Sequence, residues 1–574
     1  MKYPPRACAA LASLLIGCQG PPEPPPSAAT VPASQAWDAF RDAFIEGYFE
    51  LNPTFAIYQG RHEFDGQLGD WSAAGFARRV EFLRQAVADA GAFDAAQLSD
   101  AQRFERDYLT YVARGRLFWL ADAEEPRKNL TWYFDNGLDP NVYVARPYAD
   151  AATRLRAFIG YLRAVPTAVE QIRANLEVPM PLAHIEFGIA GFNGFAEYYR
   201  GDATAAFAEV DDAALQAELA AAVETAANVV TDAATWLESQ RATATQDFAL
   251  GRERFARMLE ETEAVTVPLE RLEEIGRADL ERNQKALATA CASFAPGAGL
   301  GECMQRMQGA KSPLGPVAEA RTQLPALKQF IADSGLVSIP GTEEALVEEA
   351  PPYNRQNSAY IDIPGPYEKG LPSVYYIAPP DPAWTAEQQA AYIMGKKDLL
   401  FTSVHEVWPG HFLNFLHANR SPSLFGRVFV GYAFAEGWAH YTEELVADAG
   451  FESGNMESRI GQLSNALLRN CRYLSAIGLH ARGMTQEQSR DLFLHECYQD
   501  EGNALQQSAR GTWDPAYLNY TLGKLMIRKL RDDWAASRGG RAAWREFHDT
   551  FLSFGGPPIP LVRRAMMGDD SPPL

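Results

Sequence analysis

Two histidines and a glutamate in residues 405–411 have the types and spacing of a zinc site. The stretch reads His-Glu-Val-Trp-Pro-Gly-His, an H-E-x-x-H motif with Pro409 and Gly410 inserted before the second histidine. In the uninterrupted motif both histidines bind one Zn²⁺, and the glutamate acts as general base on the water of the metal. His405, Glu406 and His411 are therefore the first candidates for chemistry.

The insertion must break the helix if both histidines are to reach one metal. On a regular helix of about 100° per residue, His411 would point about 120° away from His405. Proline removes a helical hydrogen bond, and glycine relaxes backbone sterics. Pro409-Gly410 is therefore the pair that predicts a break and a return of His411 to the metal.

A third ligand is expected from a second helix. Glu436 follows the second histidine by 25 residues, after a turn at residues 421–423. Glu436, His440 and Glu443 share one face of this helix at i, i+4 and i+7. Two histidines and one glutamate with an open fourth position are the ligands of a catalytic zinc site. We expect one Zn²⁺ per chain, although Mn²⁺, Co²⁺ or Fe²⁺ suits the same ligands.

The two motifs together resemble a bacterial family. H-E-x-x-P-G-H followed by E-G-W-A-x-Y-x-E-x-L is similar to the family of domain of unknown function 885, which is related to helical gluzincin metallopeptidases of the thimet oligopeptidase and carboxypeptidase Taq type. Residues 52–60, 70–72, 478–480 and 515–524 resemble its terminal patterns. The resemblance implies a mostly α, zincin-like two-lobed helical metallopeptidase fold, with a small β-hairpin or sheet beside the active-site cleft.

Three positions depart from the family pattern. Ala476 stands where an Asp is frequent, Phe412 where a second His is frequent, and Arg510-Gly511 where Arg-Tyr is usual. The three expected metal ligands are unaffected. The departures bear on substrate recognition.

Further site residues are expected in the C-terminal part of the chain. The resemblance implies that Tyr520 donates to a tetrahedral oxyanion. His480 is a second oxyanion candidate, or a structural histidine. Lys524 or Arg510 would hold a substrate carboxylate, or else lie on a solvated face.

The N-terminus has the pattern of an exported lipoprotein. Residues 1–17 combine two cations, a short apolar run and small residues, as a signal peptide does. Leu-Ile-Gly-Cys at 15–18 resembles the bacterial lipobox, which implies lipidation of Cys18; the alternative is an ordinary signal peptide with an incidental cysteine. Gln19 favours, by analogy, the outer membrane facing the periplasm. Residues 18–34 are a Pro-rich tether.

Charge and length restrict the partners and the organisation. The formal net charge of −21 over 574 residues argues against nucleic acid. Membrane contact is expected through the lipid anchor only. We expect two packed lobes: a helical N-terminal lobe at 35–345 and a metal-site lobe at 346–574.

Apolar spacing of three and four predicts helices before and after the metal motifs. The aromatic residues Trp132, Tyr133, Phe134 and Tyr143 are more typical of core than of a cleft wall. The clearest helical stretches are Phe76–Ala90, Ala152–Val165, Pro166–Leu176, Ala213–Thr243, Pro268–Ala290, Glu457–Leu474 and Gln486–Tyr498.

Four cysteines remain after Cys18, an even number in an exported chain. Three pairings are possible, and the local pairs Cys291–Cys303 and Cys471–Cys497 are favoured. Free buried thiols are the alternative.

Strand patterns precede the metal helix. Residues 359–364 and 374–377 predict a hairpin. Its edge, which carries Tyr360, would pair with an extended peptide substrate. An ordinary hairpin that closes the cleft is equally compatible.

These features predict an exported zinc-dependent hydrolase, a peptidase that cleaves small peptides in a deep cleft with Glu406 as base. One alternative is a metal-dependent hydrolase or lyase of a non-peptide small molecule. The other is a non-catalytic binding lipoprotein with a zincin fold.

Overall fold

The computed structural model describes residues 33–355, 358–568 and 571–574. Helices dominate this part of the chain, and a single small sheet interrupts them. The signal peptide, Cys18 and nearly all of the tether lie outside the described residues. Among the described residues, no helix is both long enough and apolar enough to cross a membrane.

The first part of the chain is helical throughout, as predicted. Its helices are α1 (Ala33–Leu51), α2 (Pro53–Tyr58), α3 (Ala73–Ala92), α4 (Asp100–Leu117), α5 (Glu125–Lys128), α6 (Thr131–Tyr133), α7 (Asn141–Ala145), α8 (Ala151–Asn175), α9 (Leu182–Arg200), α10 (Asp202–Ala205), α11 (Ala213–Gln240), α12 (Arg252–Glu263), α13 (Leu269–Phe294), α14 (Leu300–Gly309) and α15 (Pro316–Ser334).

Three strands separate these helices from the second group. The strands are β1 (Ala345–Glu349), β2 (Ala359–Asp362) and β3 (Ser373–Ile377). The later helices are α16 (Ala386–Tyr392), α17 (Lys396–Glu406), α18 (His411–Ala418), α19 (Leu424–Val428), α20 (Tyr432–Asp448), α21 (Met456–Ala481), α22 (Gln486–His495), α23 (Glu501–Trp513), α24 (Asn519–Ala536), α25 (Trp544–Ser553) and α26 (Ile559–Met567).

The sheet contains the predicted hairpin and one strand more. β2 pairs with β3 in antiparallel register, with Tyr360 opposite Tyr376. β1 pairs with the other side of β3 in parallel, so β3 is central and β2 lies at an edge. β1 was not predicted because only Val347 of its five residues is buried, which leaves no alternating pattern.

One predicted helix boundary is wrong. We expected a break at Pro166, but α8 runs without interruption from Ala151 to Asn175 with Pro166 inside it. Proline removes the hydrogen bond to the carbonyl of Leu162. The apolar face of the helix, which includes the buried Phe158 and Val169, packs into the core on both sides of the proline and offsets that loss.

Three apolar cores hold the helices together. One core joins α8, α9 and α11. A second core joins α1, α3 and α4 to α19 and α26, which come late in the chain. The largest core packs α12–α15 against the helices that follow the sheet. The cores therefore do not follow the expected division at residue 345.

Both favoured disulfides are present. Cys291 and Cys303 join α13 to α14 with their Cα atoms 5.8 Å apart. Cys471 in α21 joins Cys497, just after α22, with Cα atoms 6.3 Å apart. Both pairs lie in the largest core, so they tie together the helices that surround the metal motif.

Candidate metal centre

The helix that carries the first histidine ends where the sequence predicts a break. α17 ends at Glu406, and Val407 leaves helical geometry with φ −122° and ψ −74°. The backbone N–H of Gly410 turns back to donate to the carbonyl of Val404 at 3.0 Å. A new helix, α18, then begins at His411. The break therefore allows His411 to point toward His405, whereas an unbroken helix would direct His411 away from it.

Glycine is required at position 410 because the backbone passes very close to the preceding helix. A Cβ atom there would lie 1.7 Å from the carbonyl oxygen of His405. The backbone at Gly410 has φ −73° and ψ −130°. A larger residue would displace His411 from its present position.

The three expected ligands converge on one point. Nε2 of His405 lies 3.2 Å from Oε2 of Glu436, and Nε2 of His411 lies 3.1 Å from the same oxygen. The three ligand atoms all lie within 4.8 Å of one another. His405 from α17, His411 from α18 and Glu436 from α20 thus form a group with the size of a metal-binding site.

The surroundings of these atoms suit a divalent cation with an open position. The side chain of His405 is 3 % exposed, whereas those of His411 and Glu436 are 12 % and 19 % exposed. Burial alone would raise the pKa of Glu436, but His411 and His405 hold it well below its ordinary value. The donors are two imidazole nitrogens and one ionised carboxylate, the set that fits Zn²⁺.

Glu406 supplies a carboxylate beside this group. It is buried, and its Oε2 has no hydrogen-bond partner among the described residues. Burial raises the pKa of Glu406, while the neighbouring His405 and His411 oppose the rise. A buried carboxyl oxygen without a partner is ready to accept a proton from a bound molecule.

Glu443 orients the first histidine from behind. Its Oε1 lies 2.7 Å from Nδ1 of His405, and its Oε2 lies 3.2 Å from Nδ1 of His440. Arg469 of α21 lies 3.5 Å from Oε1. Because Nδ1 of His405 is engaged, its Nε2 is directed to the ligand group. Metal-binding histidines commonly have such a carboxylate partner.

The sequence placed Glu443 on the correct helical face but did not reveal this role. The signal for Arg469 was weak as well, because it is one of three arginines, with Arg459 and Arg472, in the predicted helix Glu457–Leu474. Only the packing of α17 and α21 against α20 brings His405, Glu443 and Arg469 together.

A close helix crossing brings Tyr520 to the site. A Cβ atom on Gly437 of α20 would lie 2.4 Å from Cα of Gly523 in α24, so the helices touch through their backbones. Tyr520 lies three residues before Gly523 on α24, and its ring lies 5.9 Å from the ring of His405. Tyr520 therefore lies beside the first expected ligand, His405.

Arg510 contacts the hydroxyl of Tyr520, as part of a polar cluster. Its Nη2 donates to that hydroxyl at 3.3 Å and to the hydroxyl of Tyr432 at 3.0 Å. Arg510 also pairs with Asp514 at 2.9 Å. Burial raises the pKa of Tyr520, while the charge of Arg510 lowers it. Arg510 thus polarises the Tyr520 hydroxyl rather than standing free for a substrate carboxylate.

His480 does not have the predicted catalytic role. Its Nε2 lies 2.7 Å from the carbonyl oxygen of Gly511, and its Nδ1 accepts from the backbone N–H of Leu250 at 3.3 Å. Burial lowers its pKa to about 4. Both ring nitrogens are engaged by backbone groups, so His480 is the structural histidine that the sequence left as the alternative.

Lys524 does not have the predicted substrate-binding role either. It is fully buried, and its Nζ lies 2.7 Å from the carboxylate of Asp279 and 4.0 Å from Glu444. Tyr520 and Lys524 lie four residues apart on α24. Lys524 nevertheless faces α13 rather than the cleft, because α13 supplies the buried Asp279 with which it pairs.

A cavity of about 720 Å³ adjoins the metal centre. The three ligands do not line it; its nearest wall to them is formed by Tyr432, Arg510 and Asp514. Trp132 and Phe134 also line this cavity. The expectation of core aromatic residues holds for the buried Tyr133, Phe134 and Tyr143, whereas Trp132 is only partly buried.

Tyr360, the remaining predicted substrate-binding residue, lies on the edge strand β2. Its ring stacks on that of Tyr376 at 5.1 Å. Tyr360 is not among the residues that line the cavity. Its predicted role in substrate binding remains a prediction.

Comparisons with known proteins agree with this fold and do not name an activity. A candidate lipoprotein of unknown function from Shewanella oneidensis is 22 % identical, over 92 % of this chain and 99 % of that one, with a TM-score of 0.73. A candidate lipoprotein from Colwellia psychrerythraea is 16 % identical, over 94 % and 99 %, with a TM-score of 0.79. No curated protein matches the chain. The family model described as "Bacterial protein of unknown function (DUF885)" matches residues 53–566. The chain therefore belongs to the DUF885 family.

Proposed function

We propose that this protein is a zinc-dependent hydrolase that cleaves small peptides. The observation that carries the proposal is the convergence of His405, His411 and Glu436 within 4.8 Å, beside the buried and unpartnered carboxyl oxygen of Glu406. A structural zinc site would have four protein ligands. The described residues offer three, which leaves a position for water or substrate.

The chemistry follows from the roles of the neighbouring residues. Bound zinc would supply a Lewis acid and lower the pKa of water to about 7. Glu406 takes a proton from the attacking water and passes it to the leaving amine. Tyr520, with its hydroxyl polarised by Arg510, donates a hydrogen bond to the tetrahedral oxyanion. Glu443 keeps His405 in the tautomer that presents Nε2.

The cavity favours small substrates. Its volume of about 720 Å³ is in the range of small-molecule sites and is too small for a folded protein. The edge strand β2 would offer backbone groups to an extended peptide. We further propose that the helical body is zincin-like and two-lobed, with the sheet beside the cleft.

We also propose that the protein is an exported lipoprotein at the outer membrane, facing the periplasm. Two structural neighbours bear the name of candidate lipoproteins. The chain itself carries the lipobox-like residues 15–18 and a Pro-rich segment long enough to act as a tether. Mass spectrometry of the mature N-terminus from membranes would show a diacylglycerol-modified Cys18.

The first test is the metal content of the purified protein by elemental mass spectrometry. Wild type is expected to hold about one zinc per chain, since three protein ligands suffice for a catalytic site. His411→Ala removes a ligand and should lose the metal. Glu406→Gln keeps all three ligands and should retain it. Absence of stoichiometric metal in folded wild type, with none taken up on addition, would refute the hydrolase.

The second test is a peptide library digested by wild type and by Glu406→Gln. Cleavage products that appear with wild type alone would establish the peptidase. Metal-loaded wild type that leaves all peptides intact but turns over another substrate class would instead support a non-peptide hydrolase or lyase. Metal binding without turnover of either class would support a binding lipoprotein.

A further inference from the structure

A buried arginine in the cavity wall lacks a counter-ion. Arg79 of α3 lines the cavity and is 4 % exposed. Its Nε donates to the carbonyl of Leu51 at 3.0 Å, which is its one hydrogen bond among the described residues. Its Nη1 has no partner, and no carboxylate of the described chain forms an ion pair with it. A buried charge is normally paired, so Arg79 requires an explanation.

The surroundings hold the guanidinium in place without neutralising it. It lies 5.4 Å from the centre of the Phe76 ring, a cation–π contact. Gly69 leaves room for it, because a Cβ atom there would lie 2.5 Å from Nη2. Burial lowers the pKa of Arg79 to about 10. The group is thus fixed and poorly solvated, as in sites that bind an external anion.

The other cations of the cavity are less suited to hold an anion. Arg510 is paired with Asp514 at 2.9 Å. Asp135 also lines the cavity, and it interacts electrostatically with both Arg510 and Asp514. It adds a further carboxyl group near Arg510. Arg116 is partly exposed, so water solvates it. An anionic group that enters the cavity is therefore repelled from the Asp135 side and attracted to Arg79.

The position of Arg79 relative to the metal centre suggests which anion it takes. The same cavity is lined by Tyr432 and Arg510, next to the proposed catalytic residues, and by Arg79 of α3. Aromatic residues, including Trp132 and Phe134, also belong to its lining. A molecule that spans this space would place an apolar body in the cavity and one charged end at Arg79.

We propose that Arg79 binds the C-terminal α-carboxylate of the substrate, so that this protein acts on short peptides with a free carboxyl end. The inference rests on the proposed peptidase function and narrows its substrate class. Arginine binds a carboxylate through two parallel hydrogen bonds, which gives both affinity and orientation. The carboxylate would also supply the charge partner that Arg79 lacks.

Binding to an inactive variant tests this without relying on turnover. In zinc-loaded full-length Glu406→Gln, calorimetry would compare alanyl-phenylalanyl-alanine with its C-terminal carboxamide. The free acid should bind about 10- to 100-fold more tightly, as expected for a charge-assisted hydrogen bond. Adding Arg79→Met should remove this preference with little effect on the amide. Arg79→Lys should retain part of it, and Arg116→Met all of it.

The outcomes separate this inference from the proposed function. Equal binding of acid and amide, binding of neither, or a preference that survives Arg79→Met in a protein that melts normally would each overturn the role of Arg79. Preferential binding of the acid, lost in Arg79→Met, would support that role even if wild type failed to cleave the peptide. That result would refute the proposed peptidase activity and still support carboxylate binding by Arg79.

Discussion

The indole Nε1 of Trp438 lies 2.8 Å from the carbonyl oxygen of Pro409 and donates a hydrogen bond to it. Trp438 is fully buried and stands two residues after Glu436 on α20. Pro409 stands two residues before His411, inside the break between α17 and α18. This bond therefore fixes the distance between the helix that supplies the carboxylate ligand and the break that supplies the second histidine.

Trp438→Phe should weaken metal binding without unfolding the protein. Phenylalanine keeps most of the apolar contact but leaves the Pro409 carbonyl without its donor, at a cost of about 1–3 kcal/mol. Zinc affinity measured by competition with a chromophoric chelator should fall by about tenfold. Trp534→Phe serves as control and should bind zinc normally, because Trp534 is buried and packs against Phe547 rather than against the expected ligands. Unchanged affinity in Trp438→Phe would contradict the role of this bond.

Gly410→Ala should reduce zinc binding more than Trp438→Phe does. The added Cβ would lie 1.7 Å from the His405 carbonyl, which forces the backbone between the two histidines to move. Zinc stoichiometry should drop well below one per chain. Gly91→Ala is the matched control, because its Cβ would meet nothing within 4 Å and alanine is favoured in a helix by about 0.5–1 kcal/mol. Full zinc occupancy in Gly410→Ala would show that the break tolerates a side chain.

Glu443→Gln should lower zinc affinity by about 10- to 100-fold, the usual effect of losing a carboxylate behind a metal-binding histidine. The change removes the negative charge behind His405 and leaves Arg469 without its carboxylate partner. Dissociation constants from chelator competition provide the measurement. Glu444→Gln is the control, because Glu444 pairs with Arg282 and Arg528 instead. Equal losses in the two variants would indicate general destabilisation.

Glu263→Gln should change how stability depends on pH. Burial raises the pKa of Glu263 to about 8, and its Oε2 has no partner among the described residues. The unfolded chain releases this proton near pH 4.5, so wild type loses stability as pH rises from there to about 8. The loss has an upper bound on the order of 5 kcal/mol.

Thermal melts of the two proteins would measure this difference. Glutamine keeps the acceptor that binds the N–H of Ala433 and the amide of Asn519 but cannot ionise. The variant should match wild type near pH 4 and exceed it in Tm above pH 8. A difference that is the same at both pH values would exclude titration of Glu263 as the cause.

The sequence predicted that His405, His411 and Glu436 lie close together because the spacing within its motifs restricts where these side chains can lie. His405, His411 and Glu436 lie on three helices that are close in the chain, and Pro409-Gly410 predicted the break between the first two. The close pairs Cys291–Cys303 and Cys471–Cys497 were predictable for the same reason. The expected ligands and the two cysteine pairs each join residues that lie within about 30 positions of one another in the chain.

The misassigned residues depend on distant partners instead. His480 is held by the backbone of Leu250 and Gly511, and Lys524 by Asp279 of α13. Spacing along a single helix shows which residues share a face, but not which helix will cover that face. Arg79 could not be predicted from the sequence for a related reason. A single arginine is common in any sequence, and this one is unusual only because it is buried without a counter-ion.

The core that joins α1, α3 and α4 to α19 and α26 affects how the chain acquires its structure. Trp37 and Phe44 pack in one cluster with Phe425, Phe429 and Leu561. The apolar faces of α1, α3 and α4 are therefore fully covered only after α19 and α26, which are synthesised several hundred residues later. A chain that lacks α26 would leave part of these faces exposed to aggregation and proteolysis.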